Sequence, residues 1–395
     1  MSLLPVAEAL ARLLALAPPL PAATVRLAEA AGRYAAADVA ALRDQPAADL
    51  SAMDGYAIRF AERPGPWTLA GESAAGGGLG RALAPGEAAR IFTGAPVPPG
   101  ADTILIQEEA DAGDGRIVQT GEGPPRAGTH IRPRGSDFAA GALLLRRGEA
   151  ITPARLALAA IGGHGALPVA RPVRVTLLST GDELVPPGAP TPGTRLPASN
   201  AVMLAALVAG PGVAVRDGGI VRDDLAALTA AFADAAAESD VIVTTGGASV
   251  GDHDLVRPAL AAAGADLDFW RVAMRPGKPL MAGRLGGAVV LGLPGNPVSA
   301  HVTATLFLRP LLAHLAGAAQ TAPPRRTATL AADLPATGPR ADYLRARRDA
   351  QGVAALVRQD SGDLTTLAAA DCLIVRPPAA PPACAGERVE IVSLA

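Results

Sequence analysis

Aromatic residues make up only 3% of this chain, with two tryptophans and three tyrosines in 395 residues. So few rings leave little surface for stacking bases, and the charge balance agrees: Lys and Arg number 35 against 37 Asp and Glu, a net charge of −2. No global field draws such a chain to nucleic acid or anionic lipid, so any basic site must be local. There are two cysteines, Cys372 and Cys384, without a CxxC spacing or a neighbouring histidine. That excludes a disulfide framework and argues against zinc, and it fits a reduced, cytoplasmic setting. The five histidines, at 130, 164, 253, 301 and 314, form no HxH or HExxH group, so neither a histidine metal site nor a Ser-His-Asp triad has support. No uncharged apolar run reaches 18 residues, so no membrane crossing is expected. The apolar start, MSLLPVAEALARLLALAPPL, is interrupted by Glu8 and Arg12. Val6, Leu10, Leu13 and Leu14 share a face, which predicts an amphipathic helix rather than a signal peptide.

What the chain has in abundance is Ala, Gly and Pro, and half its residues are hydrophobic. Its length exceeds one ordinary core, so two to four domains are expected. Up to about Arg43 the pattern reads as helical. From there to Phe138 it turns Gly- and Pro-rich, with strand candidates at Trp67 and Asp102. Helix signals return from Ala139, where Thr152 can cap and Pro153 can open a segment through Ile161. This predicts a discontinuous helical domain (1–43 and 139–169) carrying a β-rich insertion (44–138), which the resemblance given below implies to be a lid. From about Arg171 strands and helices alternate: VRVTLLST, a helix capped by Asn200, a strand through Ile220, a helix capped by Asp223 and Asp224, then DVIVTT, FWRVAM, GGAVVLGL and a long helix from Pro297. Such alternation predicts a doubly wound, parallel α/β domain over 170–320. The remainder, 321–395, follows a Pro-containing linker and predicts a small β domain.

In a doubly wound sheet ligands bind beyond the carboxyl ends of the strands. Four motifs fall there. Thr244 to Asp254, TTGGASVGDHD, follows the buried run Val241 to Val243. Gly246 and Gly247 permit close backbone approach to an anion, Thr245 and Ser249 can donate, and Asp252 and Asp254 suit a divalent cation. The loop has neither the P-loop lysine nor a GxGxxG, and it reads equally as a tight turn whose aspartates cap a helix. STGDEL places Asp182 and Glu183 after another strand, and Asp223 follows a third. Together with Asp254 these could build a Mg²⁺ site, although each alone also serves as a cap. MRPGKP brings Arg275 and Lys278 to a stiff turn, suited to an anion or merely solvated. LPGNPVSAH sets Asn296 at an N-cap and Pro297 at the first helical position after Pro294, complete as structure and open to an anion.

The motifs SAMDGYAIR, IFTGAPVPPGADTILIQEE, IRPRGSDF, STGDEL, TTGGASVGDHD, RVAMRPGKPL and GLPGNPVSA, in that order, closely resemble the molybdopterin molybdenumtransferase family, which includes the E domain of gephyrin. The resemblance runs from about residue 5 to 395. It implies the same four-part architecture, an elongated homodimer, and a reaction that takes adenylylated molybdopterin and molybdate and, with Mg²⁺, releases AMP as molybdenum reaches the dithiolene. It also implies roles. Asp223 and Asp254 bind Mg²⁺, and Glu183, beside Asp182, faces the substrate. Thr245, Gly246, Gly247 and Ser249 cradle the molybdopterin phosphate. Arg275, where many relatives carry lysine, joins Lys278, Arg345 and Ser361 in a molybdate pocket. Pro294, Asn296 and Pro297 border the ligand, and Asp54 and Thr93 on the lid close the site from the dimer partner. Partners implied are a molybdopterin adenylyltransferase and other proteins of the cofactor pathway. The alternatives are the adenylyltransferase itself, which needs neither lid nor C-terminal domain, and a dimeric peptide-binding scaffold, which would need no carboxylates.

Overall fold

A computed structural model describes residues 3–246 and 255–394, without the side chains of Phe269 and Trp270. The chain divides into two compact units, one of Met1–Ala37, Arg147–Ile151 and Pro168–Ala395, the other of Asp38–Arg146 and Thr152–Leu167.

The first unit is built on a six-stranded sheet whose spatial order is Val213–Val221, Val173–Thr180, Val241–Thr245, Ala288–Leu293, Pro279–Leu285, Asp266–Arg271. The first four strands run parallel, Pro279–Leu285 runs against them, and the edge strand Asp266–Arg271, antiparallel to Pro279–Leu285, runs with them again. The central strand Val241–Thr245 is buried throughout, as a strand covered on both faces must be. Its side chains alternate between two cores. Ile242 packs with Leu228, Phe232 and Leu260 from the helices Leu225–Glu238 and Val256–Ala262. Val241 and Val243 face Leu13, Leu204, Val298 and Phe307 from the helices Val6–Leu14, Ser199–Val208 and the helical run opened by Pro297–Thr303. Helices on both faces make the domain doubly wound. The antiparallel pairing at this edge departs from the all-parallel expectation because the short turn after Arg271 leads straight back as Pro279–Leu285, leaving no room for a crossover helix.

That turn does a second thing. Its Met274–Arg275 segment pairs in parallel with Ala341–Asp349, so it forms the edge of the C-terminal sheet ordered Met274–Arg275, Ala341–Asp349, Cys372–Arg376, Arg388–Ser393, Arg325–Thr329. The C-terminal sheet and the doubly wound domain share the core that contains Tyr343, Leu373 and Val375.

The second unit contains another six-stranded sheet, ordered Thr103–Ile106, Gly55–Ile58, Glu87–Ile91, Trp67–Ser73, Arg116–Gln119, Ala110–Gly113. It also holds the helix Pro153–Ile161, where the Thr152 side chain accepts from the Arg155 N–H at 3.3 Å.

Three local expectations change. The Ala-rich stretch before Arg43 is helical only over Val6–Leu14 and the single turn Leu27–Ala30. Gly32 turns the chain at φ +73°, and Ala35 and Ala36 then pair through Glu149 and Pro168. Asn200 lies inside the helix Ser199–Val208 rather than at its cap, which is Ala198. Of the aspartates at 223 and 224, only Asp224 caps Leu225–Glu238, accepting from the Ala227 N–H at 2.8 Å.

Candidate functional site

The carboxyl ends of three neighbouring parallel strands open into a cavity of about 880 Å³. Ser179 and Thr180 end one strand, Thr245 and Gly246 the next, and Pro294, Gly295, Asn296 and Pro297 follow the third. Glu183, Leu184 and Leu196 form one wall, while Gly362 and Leu364 come from the C-terminal region. A floor of hydroxyls and backbone with apolar sides suits a ligand that carries both a ring system and an anionic group.

Glycines bring the backbone close at this floor. Gly246 adopts φ +93°, and a Cβ there would lie 2.7 Å from the Thr180 carbonyl oxygen. Gly181 adopts φ +143°, and a Cβ would fall 2.3 Å from the Glu183 carboxylate. Gly246 therefore requires glycine on steric and backbone grounds alike, whereas at Gly181 the positive φ is the reason, since the Glu183 carboxylate can swing away. Thr180 Oγ1 donates to the Thr245 carbonyl at 3.3 Å, tying two strand ends together. Asn200 Nδ2 donates to the Gly295 carbonyl at 2.7 Å and fixes the turn after the third strand.

At the mouth of the first two strands, Asp182 and Asp223 hold each other through the backbone. Asp182 Oδ1 accepts the Asp223 N–H at 3.1 Å, and Asp223 Oδ2 accepts the Asp182 N–H at 3.4 Å. The exchange uses one oxygen of each carboxylate. These are hard oxygen donors of the kind Mg²⁺ selects. Among the described residues no three metal-ligating groups converge, so Asp182 and Asp223 supply part of a cation site at most. Gly247, Ser249, Asp252 and Asp254 lie outside the described residues.

Arg275 and Lys278 are exposed at the turn that enters the C-terminal sheet. Between them Gly277 is buried at φ +102°, where a Cβ would meet Thr303 Cγ2 at 2.4 Å. Arg345, in the adjoining strand, is fully buried. Its Nη2 donates to the Arg358 carbonyl at 2.9 Å, whereas its Nε and Nη1 are buried without a partner among the described residues. Burial pushes the guanidinium below the ordinary arginine value, and the carboxylates of Asp363 and Asp360 oppose that shift. An arginine stays protonated even so. A buried cation with two unsatisfied donors is a costly arrangement that an oxyanion would relieve. Ser361 Oγ accepts from Asn296 Nδ2 at 2.9 Å, and the Ser361 carbonyl accepts the Val298 N–H at 3.1 Å. The C-terminal loop is thereby stapled to the cavity wall.

In the second unit Asp54 and Thr93 meet directly. Asp54 Oδ1 accepts from the Thr93 N–H at 2.7 Å and from Thr93 Oγ1 at 2.8 Å. These bonds, with a smaller contribution from the charge of Arg90, hold the Asp54 carboxyl below its ordinary value. Arg90 lies over the rings of Tyr56 and Phe92, at 5.2 and 4.8 Å from their centroids, and donates to the Gly55 carbonyl at 3.1 Å.

Of the residues nominated from sequence, Thr245, Gly246, Glu183, Pro294, Asn296 and Pro297 line one cavity. Ser361 touches its wall, Arg345 sits beneath the loop that carries Ser361, and Asp182 pairs with Asp223. Sequence reasoning missed Asn200 as a cavity residue and Arg90 as the support of Asp54. Asn200 reads as a cap from its position, and nothing local marks a side chain that bonds 95 residues away.

Comparison with known proteins gives a consistent result. Three family models match: "MoeA N-terminal region (domain I and II)" over 4–163, "Probable molybdopterin binding domain" over 176–314, and "MoeA C-terminal region (domain IV)" over 327–394. The chain is 39% identical to molybdopterin molybdenumtransferase 2 of Mycobacterium tuberculosis over 83% of its length and 84% of the relative's. To the molybdopterin molybdenumtransferase of Haemophilus influenzae it is 36% identical over 81% and 80%. The crystal structure of a molybdopterin biosynthesis MoeA protein from Pyrococcus horikoshii matches with a TM-score of 0.84 at 28% identity, covering all of both chains. The chain belongs to the MoeA family of molybdopterin molybdenumtransferases.

Proposed function

We propose that this protein inserts molybdenum into adenylylated molybdopterin, taking molybdate as the metal source and releasing AMP in a Mg²⁺-dependent step. The observation that carries the reading is the pairing of a glycine-floored cavity at three strand ends with a buried Arg345 whose Nε and Nη1 lack partners. The first suits a phosphorylated pterin, and the second suits a tetrahedral dianion.

The chain's own groups divide the work. Thr245 and Gly246 hold the molybdopterin phosphate, with Gly247 and Ser249 beside them by family resemblance. Glu183, at the cavity wall, holds or moves a proton on the bound substrate. Arg345 and Ser361, with Arg275 and Lys278, receive the oxyanion through charge-assisted hydrogen bonds. Asp182, Asp223 and Asp254 would hold Mg²⁺, which when bound sets positive charge against the anhydride oxygens. Asp54 and Thr93, from the lid of a homodimer partner, close the site against water. The protein works in the cytoplasm, receiving its substrate from a molybdopterin adenylyltransferase.

That adenylyltransferase activity is the second enzymatic reading, since "Probable molybdopterin binding domain" matches 176–314 alone. The family membership of the flanking regions weighs against it, as it does against a purely structural scaffold. The test mixes purified protein with adenylylated molybdopterin, Mg²⁺ and molybdate and follows AMP. Release that depends on molybdate supports the reading, and none under any divalent cation overturns it. ATP consumption with free molybdopterin would select the adenylyltransferase instead.

A further inference from the structure

The strand Ala341–Asp349 pairs on one side with Cys372–Arg376, where Arg345 lies opposite Leu373. On its other side the hairpin partner Gly352–Ala355 ends opposite Ala346. The ladder thus stops one residue short of Arg345, where a chain would normally leave a backbone N–H and a carbonyl only partly paired at an edge. Here a side chain continues it. Gln359 Oε1 accepts the Arg345 N–H at 3.0 Å, and Gln359 Nε2 donates to the Arg345 carbonyl, also at 3.0 Å. The same Nε2 donates to the Leu356 carbonyl at 2.7 Å, and the Leu356 N–H reaches the Arg345 carbonyl at 2.9 Å. The carboxamide thereby acts as a detached peptide group, pairing with the strand and tying down its own loop.

The loop so fixed, from Leu356 to Gly362, supplies a hydrogen-bond partner of the buried guanidinium. Its Arg358 carbonyl takes Arg345 Nη2, and three residues later its Ser361 bonds Asn296 at the cavity wall. We propose that Gln359 is the positioning residue of the oxyanion subsite, setting the backbone of Arg345 and the loop that carries Ser361 in one mutual geometry. This rests on the reading that Arg345 and Ser361 receive molybdate. Gln359 touches neither substrate nor reacting atoms. It acts by holding two anion-binding side chains on different segments in register, so that the open donors of Arg345 are prearranged rather than gathered when the anion arrives. The chemistry explains the residue type. Glutamate of the same shape would set an acceptor against two carbonyls, and asparagine is one methylene too short to span the strand and the loop.

Equilibrium dialysis of the full-length protein against molybdate alone tests the inference, with denaturation curves run alongside. Wild type binds. Gln359→Glu and Gln359→Asn should raise the dissociation constant for molybdate by about tenfold, the equivalent of roughly one net hydrogen bond. Their affinity for molybdopterin should stay within about twofold, since the bonds of Gln359 run to Arg345 and Leu356 and none reaches the cavity floor of Thr245 and Gly246. Arg345→Ala is the control. If it abolishes molybdate binding while the folded Gln359 variants bind as wild type does, the positioning role is wrong and the oxyanion reading stands. If Arg345→Ala binds molybdate normally, the oxyanion reading itself fails and the inference falls with it. Loss of molybdate and molybdopterin affinity in equal measure would reduce Gln359 to a general structural role and also overturn the proposal.

Discussion

Gly246 shows how much a single residue can carry. Its φ of +93° and the 2.7 Å approach of a hypothetical Cβ to the Thr180 carbonyl leave no accommodation for a side chain. Gly246→Ala is expected to cost about 1–3 kcal/mol of stability and to weaken molybdopterin binding. Denaturation and ligand titration of the variant check both, and an unchanged affinity would remove this turn from the binding floor. Asp54 offers a pH handle. The Thr93 N–H and hydroxyl stabilise its ionised form, so Thr93→Val, which keeps the N–H and removes the hydroxyl, should raise the Asp54 pKa. If turnover needs the carboxylate, the acid limb of the pH–rate profile then moves to higher pH. An acid limb that stays in place would show that Asp54 ionisation does not govern the rate. The sequence announces residues of this sort, because glycine beside a strand end and an Asp–Gly turn are local signals. Gln359, Asn200 and Arg90 are silent in it, because each works through a bond to a backbone or a ring distant along the chain. The nominated Gly247, Ser249 and Asp254 remain readings of sequence, since they lie outside the described residues.

Among the elements, the strand Val173–Thr180 is anchored by charge where it begins and serves the cavity where it ends. Asp240, just before Val241–Thr245, accepts from both guanidinium Nη atoms of Arg171 at 2.7 Å and from the Arg174 N–H at 2.9 Å. Burial opposes ionisation of Asp240, but the bonds from Arg171 and Arg174 prevail and lower its pKa from 3.8 to about 2. A carboxylate depressed in the folded state stabilises above its unfolded pKa, and that stability is lost as pH falls through the folded value. Wild type should therefore exceed Asp240→Asn in stability by about 2 kcal/mol at neutral pH. The gap should close between about pH 4 and pH 2, as denaturant titrations at several pH values would reveal. A gap that persists at pH 2 would mean that packing, not charge, sets the effect. Elements with strong patterns, such as the buried strand Val241–Thr245 and the Pro-opened helix Pro153–Ile161, were legible because burial and capping leave local marks. The Ala-rich stretch before Arg43 was misread as helix. Alanine favours helix per residue, yet short segments cannot nucleate alone, and here the backbone of Ala35 and Ala36 finds partners elsewhere.

For the molecule as a whole, the residues proposed to serve one reaction fall in both compact units. Asp54 and Thr93 belong to one unit, while Glu183, Thr245 and Arg345 belong to the other. The proposed homodimer has a direct test. Mixing inactive Asp54→Asn with inactive Asp223→Asn, after exchange of subunits, should restore AMP release if each site draws its lid from the partner. Failure of exchanged heterodimers to recover activity would place both residues in one subunit's site. The doubly wound α/β domain was visible from the alternation of strand and helix patterns. The sharing of Met274–Arg275 with the C-terminal sheet was not, because a two-residue pairing with a strand more than sixty residues away leaves no periodic trace. The most direct measurement follows the metal itself. Protein, adenylylated molybdopterin, Mg²⁺ and labelled molybdate are combined, and the product is offered to a molybdenum-free apoenzyme. The account predicts that labelled molybdenum reaches the apoenzyme and activates it in step with AMP release, and that Arg345→Ala abolishes both. AMP release that proceeds equally without molybdate, with no metal reaching the apoenzyme, would contradict it.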